Sequence, residues 1–273
     1  MHSVIVTIHN GARRMPNGEI LLEKVLDGII RNTVGDYELL CMLDGCTDDS
    51  EEIVSRLGGN VRSIVLPDIF ELRTNNAAFK ESKGEYVIVV QDDQIVTEHG
   101  WNQRMQKPFD AFDDVFAVTA RCAHNWRLNP NSYHLHHPDA PINGWCDIWE
   151  HIDHASPDHG ASRDIFSVRS SCNRGPLMIN LHDLATINYL DEKFAPCDMD
   201  DHDLMFRAYL QLDKVCGCYP IGMESAPQWS GARAGGDLPL WAYQSQHKNS
   251  RIFYDRYNDI IESRRVIENR ELP

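Results

Sequence analysis

The stretch Gly84-Glu85-Tyr86-Val87-Ile88-Val89-Val90-Gln91-Asp92-Asp93 holds the fold in miniature. Its apolar, mostly β-branched run does not alternate with polar residues. Both faces of the strand it forms are therefore covered, as in a parallel sheet between layers of helices. The run ends abruptly in two carboxylates. Upstream, Ser3-Val4-Ile5-Val6-Thr7-Ile8 has the same character, and further strands are expected at 37–43, 61–66 and 115–119. Between them lie helical patterns. Leu22, Val25, Leu26, Ile29 and Ile30 share one stripe. Asp48-Asp49-Ser50-Glu51-Glu52 is helix-start chemistry before Ile53, Val54 and Leu57, and Gly58-Gly59 closes that helix. A short helix is expected over 74–82. This alternation predicts an α/β chain with an open, doubly wound, mostly parallel sheet and helices on both faces.

The pattern breaks over 121–164, which holds Pro130, Pro138, Pro141 and Pro157 and seven of the thirteen histidines. The segment has too little apolar material for a core of its own and is expected to be an irregular insertion or lid. Regular patterning resumes at 176–180. Helices are expected over 181–188 and 200–212, a strand over 215–221, and a largely helical tail over 238–265. The 273 residues read as a single domain, with a first half over 1–120 and a second over 121–273.

Composition narrows the partners. Apolar residues make up 42% and charged residues 25%, which suits a globular chain. Acids outnumber bases 41 to 26, for a formal charge of -15. Such a surface repels phosphate backbones and anionic lipid, so nucleic acid is not an expected partner. No run approaches the roughly 20 apolar residues of a transmembrane segment. The N-terminus shows no signal-peptide pattern, so a cytoplasmic location with eight reduced cysteines is expected. Cys216 and Cys218 lack zinc-knuckle spacing.

Ligands of open α/β sheets bind at the carboxyl ends of the strands. His9 and Asn10 follow the first strand, Asp44 and Gly45 the second, and Gln91, Asp92 and Asp93 the fourth. Taken singly, such residues merely end strands and start turns. Taken together they converge on one cleft, where adjacent carboxylates call for a cation. Oxygen ligands suit Mg²⁺ or Mn²⁺, which in turn favour diphosphate oxygens. A nucleotide diphosphate held through a metal is the ligand this predicts. The chain has neither a glycine-rich dinucleotide fingerprint nor a Walker loop.

These blocks resemble family 2 glycosyltransferases, which have the GT-A fold. Residues 3–10 are similar to the family's opening strand. Leu43-Asp44-Gly45-Cys46-Thr47-Asp48 resembles its second block, and residues 84–93 resemble the strand that leads into its Asp-x-Asp metal motif. Leu190-Asp191-Glu192-Lys193-Phe194, followed by Asp200-Asp201-His202-Asp203-Leu204, resembles its acceptor-side block. The likeness spans residues 3–207. It implies an inverting transfer of a sugar from a nucleotide-diphosphate donor to the hydroxyl of a glycan or other acceptor. Asn10, Asp44 and Asp92 would line the donor pocket, with Asp44 contacting the base of the nucleotide. Asp93 would hold the metal, Mg²⁺ or Mn²⁺, and Asp201 would be the general base. In the family's terms 1–120 binds the nucleotide sugar and 121–273 the acceptor. Two positions depart from the pattern: Gln91 stands where the metal motif has its first acid, and Asp200 stands where Glu is usual.

Other readings remain open at this point. A nucleotidyltransferase would need a basic loop after the first strand, and Arg13-Arg14 lies there. A binding module with a decayed site would account for Gln91. Helix capping is the alternative for Asp201, and Asp203 with Arg207 reads as a surface ion pair. His134, His136, His137, His151, His154 and His159 are crowded enough to raise a zinc site, and His247 a metal ligand. Trp126, Trp145, Trp149 and Trp229 are either sugar platforms or core.

Overall fold

The computed structural model describes residues 1–125, 145–149, 162–225, 240–263 and 266–273. Its first part follows the expected alternation: β1 (His2–Ile8), α1 (Leu21–Asn32), β2 (Tyr37–Asp44), α2 (Ser50–Ser55), β3 (Val61–Leu66), α3 (Phe70–Glu81) and β4 (Tyr86–Gln91). Next come β5 (Ile95–Val96), α4 (Trp101–Ala111), β6 (Val115–Thr119), β7 (Cys122–Asn125), β8 (Trp145–Trp149), β9 (Ile165–Arg169), β10 (Ser171–Cys172) and β11 (Leu177–Asn180). The remainder is α5 (Leu181–Thr186), a 3-10 turn (Glu192–Phe194), α6 (Asp200–Leu212), β12 (Val215–Cys218), β13 (Met223–Glu224), α7 (Leu240–Ser263) and β14 (Ile267–Glu271).

The main sheet runs β14-β9-β12-β6-β11-β4-β1-β2-β3. β1 is parallel to β2 and β4, β2 to β3, and β12 to β6. β11 runs against β4 and β6, and β9 against β12 and β14. The sheet is mostly parallel, and its strand order reverses about β1. That places the crevice for a ligand at the carboxyl ends of β1, β2 and β4. The buried runs of β1 and β4 explain their central place, since each has a strand on both edges and apolar side chains on both faces. Leu22, Val25, Leu26 and Ile29 of α1 are buried as their spacing predicts. Gly28 lets α1 approach closely, because a Cβ there would lie 2.7 Å from the Val96 carbonyl oxygen.

The structure corrects several expectations. α4 is unforeseen in the sequence, because its buried set of Trp101, Met105 and Pro108 is scattered among Asn, Gln, Arg and Lys. Trp101 anchors it, fully buried and donating from Nε1 to Thr33 Oγ1 at 3.0 Å. α3 starts at Phe70, a turn before the expected residue 74. β9 and β14 are also additions. β14 has one apolar residue in five and exists through its pairing with β9. The 121–164 segment is not irregular throughout, for β7 pairs with β8 and β10 in a three-stranded antiparallel sheet. The described cysteines form no disulfide, and no described helix is long and apolar enough to cross a membrane.

Asp203 is the largest departure. It is fully buried rather than part of a surface pair. Its Oδ2 accepts from Arg207 Nε at 2.7 Å, and its Oδ1 accepts from Arg256 Nη1 at 2.8 Å and Tyr257 Oη at 2.7 Å. Arg256 also pairs with Asp191 at 2.8 Å. α7 brings two of these partners from about fifty positions away, beyond the reach of helical spacing. The network fastens α7 across α6, where Phe206 packs on Phe253 and Tyr257.

Asp203→Ala leaves Arg207 and Arg256 facing an empty site. The expected loss is about 3 kcal/mol, the low end for breaking a buried pair, because Arg256 is partly exposed. Urea unfolding should show a lower midpoint with an unchanged slope.

Candidate active site

The rim at the carboxyl ends of β1 and β2 is built by side chains that bind backbone. Asn10 has left-handed backbone (φ 51°), which turns the chain sharply at the end of β1. Its Oδ1 accepts from Thr47 N at 2.8 Å and Thr47 Oγ1 at 3.2 Å. Gly11 N donates to Ser50 Oγ at 2.9 Å and Ala12 N to Asp48 Oδ2 at 2.8 Å. The β1–α1 and β2–α2 loops are thus stitched into one wall. His9 Nδ1 lies 2.6 Å from the Asp44 carbonyl oxygen. A carbonyl can only accept, so Nδ1 is the protonated ring nitrogen.

Asp44 ends β2 fully buried, and its Oδ1 accepts from Ile69 N at 2.8 Å. It pins the loop before α3, where Phe70 also has left-handed backbone (φ 69°). Gly45 (φ 60°) permits the close approach, since a Cβ there would stand 2.8 Å from Asp68 Cα.

Asp92 and Asp93 follow β4, both buried. Asp92 Oδ1 is 3.4 Å from Arg13 Nη2, and its Oδ2 accepts from His9 N at 3.4 Å. Burial pushes the Asp92 carboxyl up to about 7, Arg13 opposes that rise, and the neighbouring Asp93 charge adds to it. Gln91 turns toward α3. Its Nε2 donates to Glu71 Oε1 at 3.4 Å, and its Oε1 accepts from Gln94 Nε2 at 3.2 Å. Gln94, fully buried, also donates to the Gly175 carbonyl at 2.8 Å.

The opposite wall is the N-terminus of α6. Asp200 is fully buried and held by both ends of the Arg174 guanidinium, Nη1 on Oδ2 and Nη2 on Oδ1. Asp201 accepts from Arg174 N at 3.3 Å through Oδ2 and from His202 N at 2.9 Å through Oδ1. The N-cap position is occupied by Met199, whose side chain makes no capping hydrogen bond, so Asp201 sits inside the first turn. His202 Nδ1 is 2.9 Å from Ser171 Oγ, and its ring meets His124 edge-on at 4.7 Å. Asp198 and Met199 have consecutive left-handed backbones that swing α6 into place. Asn249 of α7 holds this turn by donating from Nδ2 to the carbonyls of Phe194, Cys197 and Asp198.

The structure therefore brings Asn10, Asp44, Asp92 and Asp93 to one wall and places Asp201 on another. Glu71 joins the two, with Oε1 3.4 Å from Gln91 Nε2 and 3.4 Å from Arg174 Nε. Sequence reading missed Glu71, Gln94, Arg174 and Asn249. Arg174 and Asp200 are 26 positions apart, and no spacing rule connects them. The Gly175-Pro176 step after Arg174 was the one local signal of a fixed backbone there. His247 is exposed on α7. The candidate tryptophan side chains and the crowded histidines from His134 to His159 lie outside the described residues. Among the described residues no three His, Cys, Asp or Glu side chains gather as a ready metal cage.

The family described as Glycosyl transferase family 2 matches residues 3–173. A poly(ribitol-phosphate) beta-glucosyltransferase of Bacillus spizizenii is 30% identical over 90 residues, taking in 29% of this chain and 14% of that protein's length. Among solved structures, S. aureus TarS 1-349 superposes with a TM-score of 0.53 at 13% identity, over 95% of this chain and 74% of that one. The same TarS fragment in complex with UDP-GlcNAc gives 0.54 at 13% identity, with the same coverage. The latter two are likenesses of fold.

Asp92 supplies a stability test. Its carboxyl holds a proton to about pH 7 when folded, against 3.8 for an ordinary one. Between those values the native state binds more protons than the unfolded chain, so stability falls as pH rises through the window. Asp92→Asn removes this titration. It should melt above wild type at pH 8, and the advantage should shrink at pH 5. Each kcal/mol shows as about 2–4 °C in a chain of this size. An offset in Tm that is the same at both pH values contradicts the effect assigned to burial.

Proposed function

Because the chain belongs to glycosyl transferase family 2, we propose that it is an inverting glycosyltransferase that moves a sugar from a nucleotide-diphosphate donor to a hydroxyl-bearing acceptor such as a glycan. One observation carries this reading. Two pairs of buried carboxylates, Asp92-Asp93 after β4 and Asp200-Asp201 at the start of α6, are linked through Gln91, Glu71 and Arg174. A transfer to an alcohol needs two kinds of help: neutralisation of the leaving diphosphate and removal of the acceptor proton. In this reading each pair serves one of those tasks. The crystals of TarS with UDP and with UDP-GlcNAc, and the glucosyltransferase named above, make UDP-hexoses the first donors to test.

In this reading residues 1–120 bind the donor. Asn10 shapes the pocket, and Asp44 contributes by holding the loop at Ile69 that borders it. Asp92 is the donor-side acid that already engages Arg13, the residue a nucleotidyltransferase would need for a triphosphate. The donor set fits Mg²⁺ or Mn²⁺ in its chemistry: two adjacent buried carboxylates supply hard oxygen donors, one of them with raised proton affinity. Asp93 would hold the ion together with the diphosphate oxygens. When bound, the ion supplies Lewis-acid stabilisation of the leaving group. Asp201 accepts the proton of the attacking hydroxyl, positioned by the N–H groups of Arg174 and His202. The 121–273 half then binds the acceptor.

The test is release of UDP from UDP-glucose or UDP-GlcNAc that depends on added polyol or glycan acceptors. Pyrophosphate release instead would identify a nucleotidyltransferase, and tight UDP binding without turnover a binding module. Asp93→Ala should abolish the Mn²⁺ dependence of UDP binding, read by thermal shift, while the melting temperature without ligand stays within a few degrees of wild type.

Asp201→Asn keeps shape but removes the proton acceptor. Transfer at saturating donor and metal should fall by at least about 10²-fold, with UDP affinity changed only a few-fold. A capping role predicts little change in rate, since Asn caps nearly as well as Asp.

A further inference from the structure

Two adjacent acids open α6, and chemistry alone does not say which of them takes the proton. The reading above gives the task to Asp201, and the following rests on it. Asp200 is fully buried, and both of its oxygens face the Arg174 guanidinium, so no acceptor hydroxyl can reach them. Asp201 keeps a margin of exposure, and its described bonds are to the N–H groups of Arg174 and His202. The same arginine thus holds one acid by its side chain and aims at the other with its backbone. That backbone is fixed by the residue that follows. Gly175 has φ +90°, and a Cβ there would fall 2.3 Å from Gln94 Nε2 and 2.7 Å from Gln91 Oε1. Only glycine lets the chain pass between those side chains with Arg174 pointed at α6.

We propose that Arg174 is the positioning residue that commits Asp201, and not Asp200, to proton transfer, and that Glu71 ties it to the donor wall. Glu71 Oε1 lies 3.4 Å from both Arg174 Nε and Gln91 Nε2, and Gln91 adjoins Asp92. The ionisable groups facing the acid pair come from every neighbouring element. Among the described residues they are Glu71 of α3, Cys172 of β10, Arg174 before β11, His202 of α6, and Cys197 in the turn before α6. Burial works against the Arg174 charge, but Asp200, Glu71 and Asp201 together hold the guanidinium protonated well above its ordinary range. Without it, Glu71, Asp200 and Asp201 lose their shared cation. Like charges that close retain a proton, and the base is then occupied up to a higher pH.

The test is the pH dependence of transfer with the UDP-sugar and acceptor found active in the assay above. Arg174→Gln should move the acid limb of kcat upward by about one pH unit or more, so that its deficit in kcat deepens as pH falls, with donor KM within a few-fold. Adding Asp200→Asn removes the unbalanced acid and should return the acid limb to the wild-type position. The double variant loses one buried acid along with the cation, so the local charge returns to its wild-type sum with Glu71 and Asp201 left, and it carries the test even where the single variant does not fold. An unmoved acid limb in Arg174→Gln, or a double variant inactive at every pH, overturns the proposal. Failure of the base assignment is separate: it shows as near-normal transfer by Asp201→Asn, whatever Arg174 does.

Discussion

The ion pair between Arg174 and Asp200 is the joint on which the crevice depends. Both side chains are buried, and charges taken out of water persist only when each is answered. The pair is answered further by Glu71, which reaches it from α3. One guanidinium therefore connects a helix of the first half, the loop before β11 and the first turn of α6. The loops after β4 and the start of α6 are held together by charge as well as by the sheet beneath them. Gln91 takes part in the same chain of contacts. Where a metal motif would carry its first acid, this protein has an amide that can both donate to Glu71 and accept from Gln94. An acid at that position would meet Glu71 with like charge.

The rim above this joint is made of backbone in uncommon conformations. Asn10, Phe70, Asp198 and Met199 all have positive φ. Such residues persist only where their surroundings over-determine them. Thr47 and Ser50 bind the Asn10-Gly11 corner, Asp44 binds Ile69 beside Phe70, and Asn249 binds the carbonyls before α6. Each turn is held by a polar side chain from an element distant in sequence. The loops of this face are therefore parts of a preorganised wall.

α7 plays the corresponding part for the second half. Through Asn249 it holds the approach to α6, and through Arg256 and Tyr257 it holds Asp203. The aromatic cluster of Phe206, Phe253 and Tyr257 supplies the apolar burial that makes these polar contacts possible. Disturbing α7 would displace the helix that bears Asp201.

What the sequence determined by itself was the alternation of strands and helices and the residues at the strand ends. Unbroken apolar runs such as 86–90 can only be satisfied between two covering layers, and polar residues placed directly after them fall at one edge of the sheet. Asn10, Asp44, Asp92 and Asp93 fall after strands for that reason, whereas Asp201 was singled out by its helical spacing and by motifs that resemble a family. Only the tertiary structure decided how they are connected. β14 and α4 have too few apolar residues to declare themselves, and they form because β9 and Thr33 offer them partners. Arg174, Glu71, Asn249 and the buried state of Asp203 were hidden for a related reason. The worth of a buried charge lies in what faces it, and the groups that face these come from positions that no local period connects.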